Sequence, residues 1–279
     1  MLHNQTNMAL SSKLNANIID SFWLMYSGVL VFFMQCGFAM LESGSISSKK
    51  IKNILTKNLL DACIGALLWW AVGYGIAYDG NNNGFIGTAS DGGPSFFTWD
   101  YSNKEDDVGS NWAGWFFQYV FAATASTIVS GAVAERTQIV AYMLYTSIII
   151  MFIYPVVVHW AWSSSGWISP FNSNEPFLGG VIDFAGSGVV HMTGGVSGLV
   201  GAYIIGPRAH IIVNGVAIRR DGHSTTLQIL GTFILWMGWY GFNAGSTLGL
   251  SGTNYTRDAA RIMITTTLSA ASSGISGFM

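Results

Sequence analysis

Long stretches without a charged side chain, separated by short charged or glycine-rich segments, constrain this chain more than any other feature. Ser21 to Leu41 contains no acid, lysine or arginine, and Asn58 to Tyr78 contains only Asp61. Val108 to Ala134 and Thr137 to Gly166 are again free of such charges. Leu178 to Pro207 carries one acid, Asp183, and Thr225 to Leu250 carries none. A bilayer core of roughly 30 Å needs about 20 apolar residues per helix, so each stretch can span a membrane. A seventh span starts near Asp258. The segments 79–109 and 251–257 are rich in Gly, Asn, Asp and Ser, as loops are.

Composition agrees: 51% of residues are hydrophobic and 9% charged, with mean hydropathy +0.42. Soluble domains carry roughly 25% charged residues. The 34 glycines and 11 tryptophans suit closely packed transmembrane helices with aromatic rings at the headgroups. A net charge of −2 gives no reason to expect a nucleic-acid partner. Cys36 and Cys63 lie in apolar runs and read as packing thiols, with neither a disulfide nor metal ligation expected. The first 17 residues lack a charged segment followed by an apolar run and a small-residue cleavage site. Helix one therefore reads as the insertion signal, and residues 1–17 as an N-terminal tail.

Lysine and arginine set the orientation. One set of loops holds Lys49, Lys50, Lys52, Lys57, Arg136, Arg208, Arg219 and Arg220, and the other holds Lys13, Lys104, Arg257 and Arg261. The richer set belongs in the cytoplasm, which puts the N-terminus and its tail outside. The sequons at Asn4 and Asn254 then both fall outside, a weak agreement. The chain stops at Met279 after an uncharged run from Ile262 and reads as cut within or beside a helix. Transporters are often built from two repeats of opposite topology, which an odd number of helices per repeat produces. Gly37-Phe38-Ala39 in helix one and Gly241-Phe242-Asn243 in helix six form a faint internal echo. With five helices per repeat, residues 18–207 would be a first repeat and 208–279 an incomplete second one holding helices six and seven.

Ionisable groups at membrane depth are costly and are functional candidates. His191 lies eight residues inside Asp183, roughly 12 Å deeper at 1.5 Å per residue. Ser187, His191, Gly194, Gly198 and Gly201 fall on one helical stripe, which either packs on another helix or borders a narrow lumen. Asp183 opens Asp-Phe-Ala-Gly-Ser-Gly at a helix start, where a carboxylate caps backbone N–H groups. Asp61 lies near the cytoplasmic lysines and is expected to answer one of them. The topology stacks Trp162 and Ser246 outermost, Phe117, Phe121 and Phe242 next, and His191 deepest. Aromatic faces and a hydroxyl suit a small cation, with a phenylalanine constriction below. No nucleophile-and-base pair or metal-ligand spacing appears within the spans, which argues against an enzyme and against any cofactor or metal.

The strings ASTIVSGAVAERTQ (125–138), YPVVVHWAWSSSGW (154–167), IDFAGSGVVHMTGGVSGLVGAYIIGPR (182–208) and LGTFILWMGWYGFNAGS (230–246) resemble the ammonium transporter (Amt/Mep/Rh) family, particularly its plant-type members. The resemblance implies an all-α membrane fold of eleven helices, with two inverted five-helix repeats around a pore and three copies assembled in the plasma membrane. It places an outer ammonium site at Phe121, Trp162 and Ser246, a gate at Phe121 and Phe242, a first pore histidine at His191, and a supporting role at Asp183. Ammonium or ammonia would be the substrate, with methylammonium as an analogue. The second pore histidine belongs to a later helix, so this piece is expected to be inactive alone. The rival is a seven-helix receptor-like ammonium sensor. A retinal-type receptor is disfavoured because the last helix has no lysine.

Overall fold

The computed structural model describes residues 2–78, 83–87, 110–208, 212–213, 215–217 and 221–279. Lys104, Arg219 and Arg220, used above for orientation, lie outside the described residues. Among the described residues the chain forms seven long helices. They are α1 (Leu2–Ser45), α2 (Ser48–Tyr78), α3 (Ser110–Val133), α4 (Ile139–Trp162), α5 (Ser187–Ile205), α6 (Thr225–Trp239, continued by Tyr240–Ala244) and α7 (Tyr255–Phe278). Between α5 and α6, Ile212–Val213 pairs with Val216–Ala217 in a short antiparallel hairpin. Residues 2–17 continue α1 as helix.

The expected seven helices are present, but among the described residues only α1 to α5 are long and apolar enough to cross a membrane on composition alone. Helix α6 is diluted by Thr, Gly, Trp and Tyr, and α7 by a run of Thr and Ser from Thr265 to Ser276. Four helices contain a wider π-turn: Trp69–Gly73 in α2, Ile149–Ile153 in α4, Ser187–Met192 opening α5 and Tyr240–Ala244 closing α6. The one in α4 has a local cause. Pro155 stands two residues after it and has no N–H to return to the preceding turn.

The chain divides into two compact units, and both are held by glycines. The first comprises Met1–Met34, Asp100–Val120 and Leu235–Met279. Here Gly241 lets α6 approach α1, since a Cβ there would lie 2.6 Å from both Leu30 Cβ and Ser27 O. Tyr240 and Asn243 tie α6 to α7 through Thr267 (2.8 Å) and Thr266 (3.0 Å). Asp20 accepts bonds from the N–H groups of Leu250 (2.6 Å) and Ser251 (2.8 Å), which fixes the turn after α6.

The second unit comprises Gln35–Trp99 and Phe121–Ile234. Gly73 in α2 faces the Ile150 carbonyl of α4, so the two π-turns touch. The glycine stripe of α5 packs on α3: a Cβ at Gly194 would lie 2.7 Å from Ala125 O, one at Gly198 3.0 Å from Ala132 Cβ, and one at Gly201 3.1 Å from Val133 Cγ1. This decides between the two readings of the stripe, because its glycine part is a helix contact. The cysteines depart from expectation. Both are free and exposed on α1 and α2, since a residue in an apolar run of a membrane helix can face outward as readily as inward.

Candidate functional site

The start of α5 is organised by one carboxylate. Asp183 accepts hydrogen bonds from the backbone N–H of Gly186 (2.9 Å), Gly188 (3.0 Å) and Val189 (2.7 Å), and from the Ser187 hydroxyl (3.3 Å). These are donors that a helix start would otherwise leave unmet. The turn requires glycine at position 186, where φ is +95° and a Cβ would collide with Val190 Cγ2 at 2.6 Å and crowd Trp162 at 3.3 Å.

Trp162, at the end of α4, donates its indole N–H to the Asp183 carbonyl at 2.7 Å. Its ring meets Phe121 of α3 edge to face, with centroids 6.2 Å apart and planes at 65°. That is the preferred geometry for an aromatic pair. Phe121 is buried, while Trp162 keeps partial exposure. The two rings and the Asp183 turn therefore form one hydrogen-bonded and packed group in the second unit.

His191 follows within the same π-turn. Its backbone N–H bonds the Gly186 carbonyl at 2.9 Å, and its ring Nδ1 lies 3.2 Å from the same oxygen. A carbonyl only accepts, so this contact puts a hydrogen on Nδ1. The side chain is half-buried.

The remaining candidates lie in the first unit. Phe242 is buried and sits in the π-turn that closes α6. Ser246 donates its hydroxyl to the Phe242 carbonyl at 2.8 Å, which leaves the oxygen lone pairs to accept. Gly245 beside it makes room for Phe117, whose ring would lie 3.0 Å from a Cβ at that position.

One expectation is corrected. Asp61 does not answer a lysine: it is fully buried and lies within hydrogen-bond distance of the hydroxyls of Ser126 (2.7 Å), Thr127 (2.6 Å) and Thr146 (2.9 Å). Lys57, one turn away, instead donates to the Thr137 carbonyl at 3.0 Å. Hydroxyls from α3 and α4 reach the carboxyl first because they converge on it inside the bundle. Glu42, Asn58 and Gln35 join this polar interior and were not singled out from the sequence. The readable signal was the Ser126, Thr127, Ser130 run within an otherwise apolar helix. Among the described residues, no group of three His, Cys, Asp or Glu side chains is placed to hold a metal ion.

A family profile described as the Ammonium Transporter Family matches residues 22–279. The chain is 45% identical over 238 residues to "Putative ammonium transporter 1 member 5" of Arabidopsis thaliana, covering 82% of this chain and 46% of that protein. It is 39% identical over 280 residues to "Ammonium transporter 1 member 3" of Solanum lycopersicum, covering 95% of this chain and 58% of that one. Among solved structures it is similar to "Sensor Amt Protein", with TM-score 0.75, 36% identity, and coverage of 86% of this chain and 57% of that chain. It is also similar to Candida albicans Mep2, with TM-score 0.68, 28% identity and coverage of 83% and 49%. The chain thus spans about half the length of the curated relatives it matches.

Proposed function

We propose, because the chain belongs to the ammonium transporter family, that the complete protein carries ammonium across a membrane. In this reading Phe121 and Trp162 offer ring faces to the cation, and Ser246 offers a hydroxyl oxygen. A bare cation is costly at mid-membrane while neutral ammonia is not, so the cation gives up its proton below the outer site. Phe121 and Phe242 act as the gate. His191 takes part in relaying the proton while the nitrogen passes as ammonia, because an imidazole can both give and take a proton near neutrality. Asp183 acts on the site indirectly, through the turn that carries Gly186 and His191 and through the carbonyl that fixes Trp162.

The observation that carries the reading is the coupling of Trp162, Asp183 and His191 in one turn, with Phe121 packed on the tryptophan. The test is ammonium-evoked current in cells expressing the full-length protein. His191→Ala should lower the current or uncouple it from ammonium flux. Unchanged current and unchanged selectivity would sink the role given to His191.

The plasma membrane, an outside N-terminus and a homotrimer complete the proposal. A second reading is favoured by the similarity to a structure titled "Sensor Amt Protein". A full-length protein that binds ammonium without saturable methylammonium uptake would support sensing over transport.

A further inference from the structure

We propose that the buried network around Asp61 is a proton-binding site, set apart from His191, in which the Asp61 carboxyl holds a proton and donates it to Thr127. All of its members belong to the second unit. The carboxyl sits among hydroxyls from α3 and α4 and the Gln35 amide of α1. Asp61 Oδ1 lies 2.7 Å from Ser126 Oγ and 2.9 Å from Thr146 Oγ1, and those two hydroxyls lie 3.2 Å from each other. Asp61 Oδ2 lies 2.6 Å from Thr127 Oγ1, which lies 2.8 Å from Gln35 Oε1.

Spacing identifies the ligand. Oxygens 2.6 to 2.9 Å apart are at the distance of O–H···O bonds. Neighbouring oxygens around an octahedral metal ion, each about 2.0–2.6 Å from it, are about 2.8–3.7 Å apart, longer than the 2.6 and 2.7 Å contacts that Asp61 makes with Thr127 and Ser126. These contacts leave no room for a metal or an ammonium between them, and a proton fits.

The count of hydrogens points the same way. Three hydroxyl protons serve six oxygen–oxygen contacts, since Thr127 Oγ1 also lies 2.8 Å from the Ala123 carbonyl, and the shortest contact, Asp61 to Thr127, has no hydrogen left once Thr127 donates to Gln35 or to Ala123. A proton on Asp61 Oδ2 supplies it. Burial agrees: an ionised carboxylate away from water needs a cation in contact, whereas Asp61 is fully buried with the hydroxyls of Ser126, Thr127 and Thr146 around its carboxyl. A separate observation marks the cluster as unfinished. The Gln35 amide nitrogen and the Asn58 amide oxygen are buried with no hydrogen-bond partner, and both amides are bonded into this interior, Gln35 to Thr127 and Asn58 to Glu42.

The titratable groups that face Asp61 are Glu42 on α1 and Tyr142 and Tyr145 on α4, while Lys57 on α2 faces Glu42 and the Tyr142 ring. Glu42 forms a second rung: its Oε2 accepts from Asn58 (3.2 Å) and Ser130 (2.9 Å), three residues before Asp61 on α2 and three after Thr127 on α3. Three residues rise about 4.5 Å, so the two rungs are one turn apart. Asp61 is thus a positioning residue. It holds the polar face of α3, whose opposite face, at Ala125 and Ile128, carries Gly194 of the histidine helix.

The test is infrared spectroscopy of the full-length protein in lipid bilayers, with and without carbon-13 at the aspartate side-chain carboxyl, in water and in heavy water. A protonated-carboxyl carbonyl band should appear, shift with the label and with deuterium, vanish in Asp61→Asn and persist in Glu42→Gln. A purely structural, ionised Asp61, with the Gln35 amide turned so that its nitrogen faces Thr127, would give no label-sensitive band of this kind and would overturn the proposal. If Asp61→Asn does not fold, Thr127→Val decides. Removing the acceptor hydroxyl should move the labelled band to higher frequency, and an unmoved band refutes the assignment.

Discussion

Asp183 makes the strongest short-range contribution to the site, because three backbone N–H groups and a hydroxyl depend on one side chain. Asp183→Ala strips all four bonds, and loss of a helix cap costs about 0.5–2 kcal/mol. The full-length variant should unfold at lower temperature, by intrinsic fluorescence, and lose ammonium-evoked current. Asp183→Asn keeps one acceptor oxygen and should fall between the two. Trp162→Phe keeps a ring against Phe121 but removes the bond to the Asp183 carbonyl. It should raise the ammonium concentration needed for half-maximal current more than it lowers the maximum. The capping geometry at Asp183 could be read from the sequence because its partners lie three to six residues away. Asp61 was misread because its partners lie 65 to 85 residues away, where only the assembled bundle brings them together.

Helices α3 and α5 meet through glycine, and the contact is specific to one face. Gly194 faces Ala125 O and Ile128, while a Cβ at neighbouring Gly195 would meet nothing within 4 Å. Gly194→Ala should destabilise the full-length protein by about 1–3 kcal/mol through overpacking. Gly195→Ala should be neutral or slightly stabilising, since alanine is favoured over glycine in a helix interior by about 1 kcal/mol. Thermal unfolding of the two variants in detergent separates them, and equal shifts would contradict the packing described. The small-residue stripe of α5 was visible as a pattern, yet its partner was not, since spacing along one helix does not name the helix opposite. The π-turns were also hidden. Only Pro155 gave a local cause, and the other three arise where no proline stands.

At the scale of the whole molecule, the count of seven helices came directly from the charge-free stretches, whereas the weaker apolarity of α6 and α7 did not register in it. The chain covers about half of its relatives' length, and α5 leaves large apolar residues such as Tyr203, 87% exposed, on its surface. Residues 1–279 expressed alone in cells lacking their own ammonium carriers are expected to give no saturable methylammonium uptake, and measurable saturable uptake would contradict the view that the pore needs more chain. The π-turns bear on how such a molecule tolerates change in length. Each holds one residue more than an α-helix of the same rise requires. The two that lie inside a helix are therefore where a membrane helix of this chain can shed a residue and remain a helix with both ends in register. A one-residue difference in the length of α2 or α4 between this chain and any relative is expected inside Trp69–Gly73 or Ile149–Ile153.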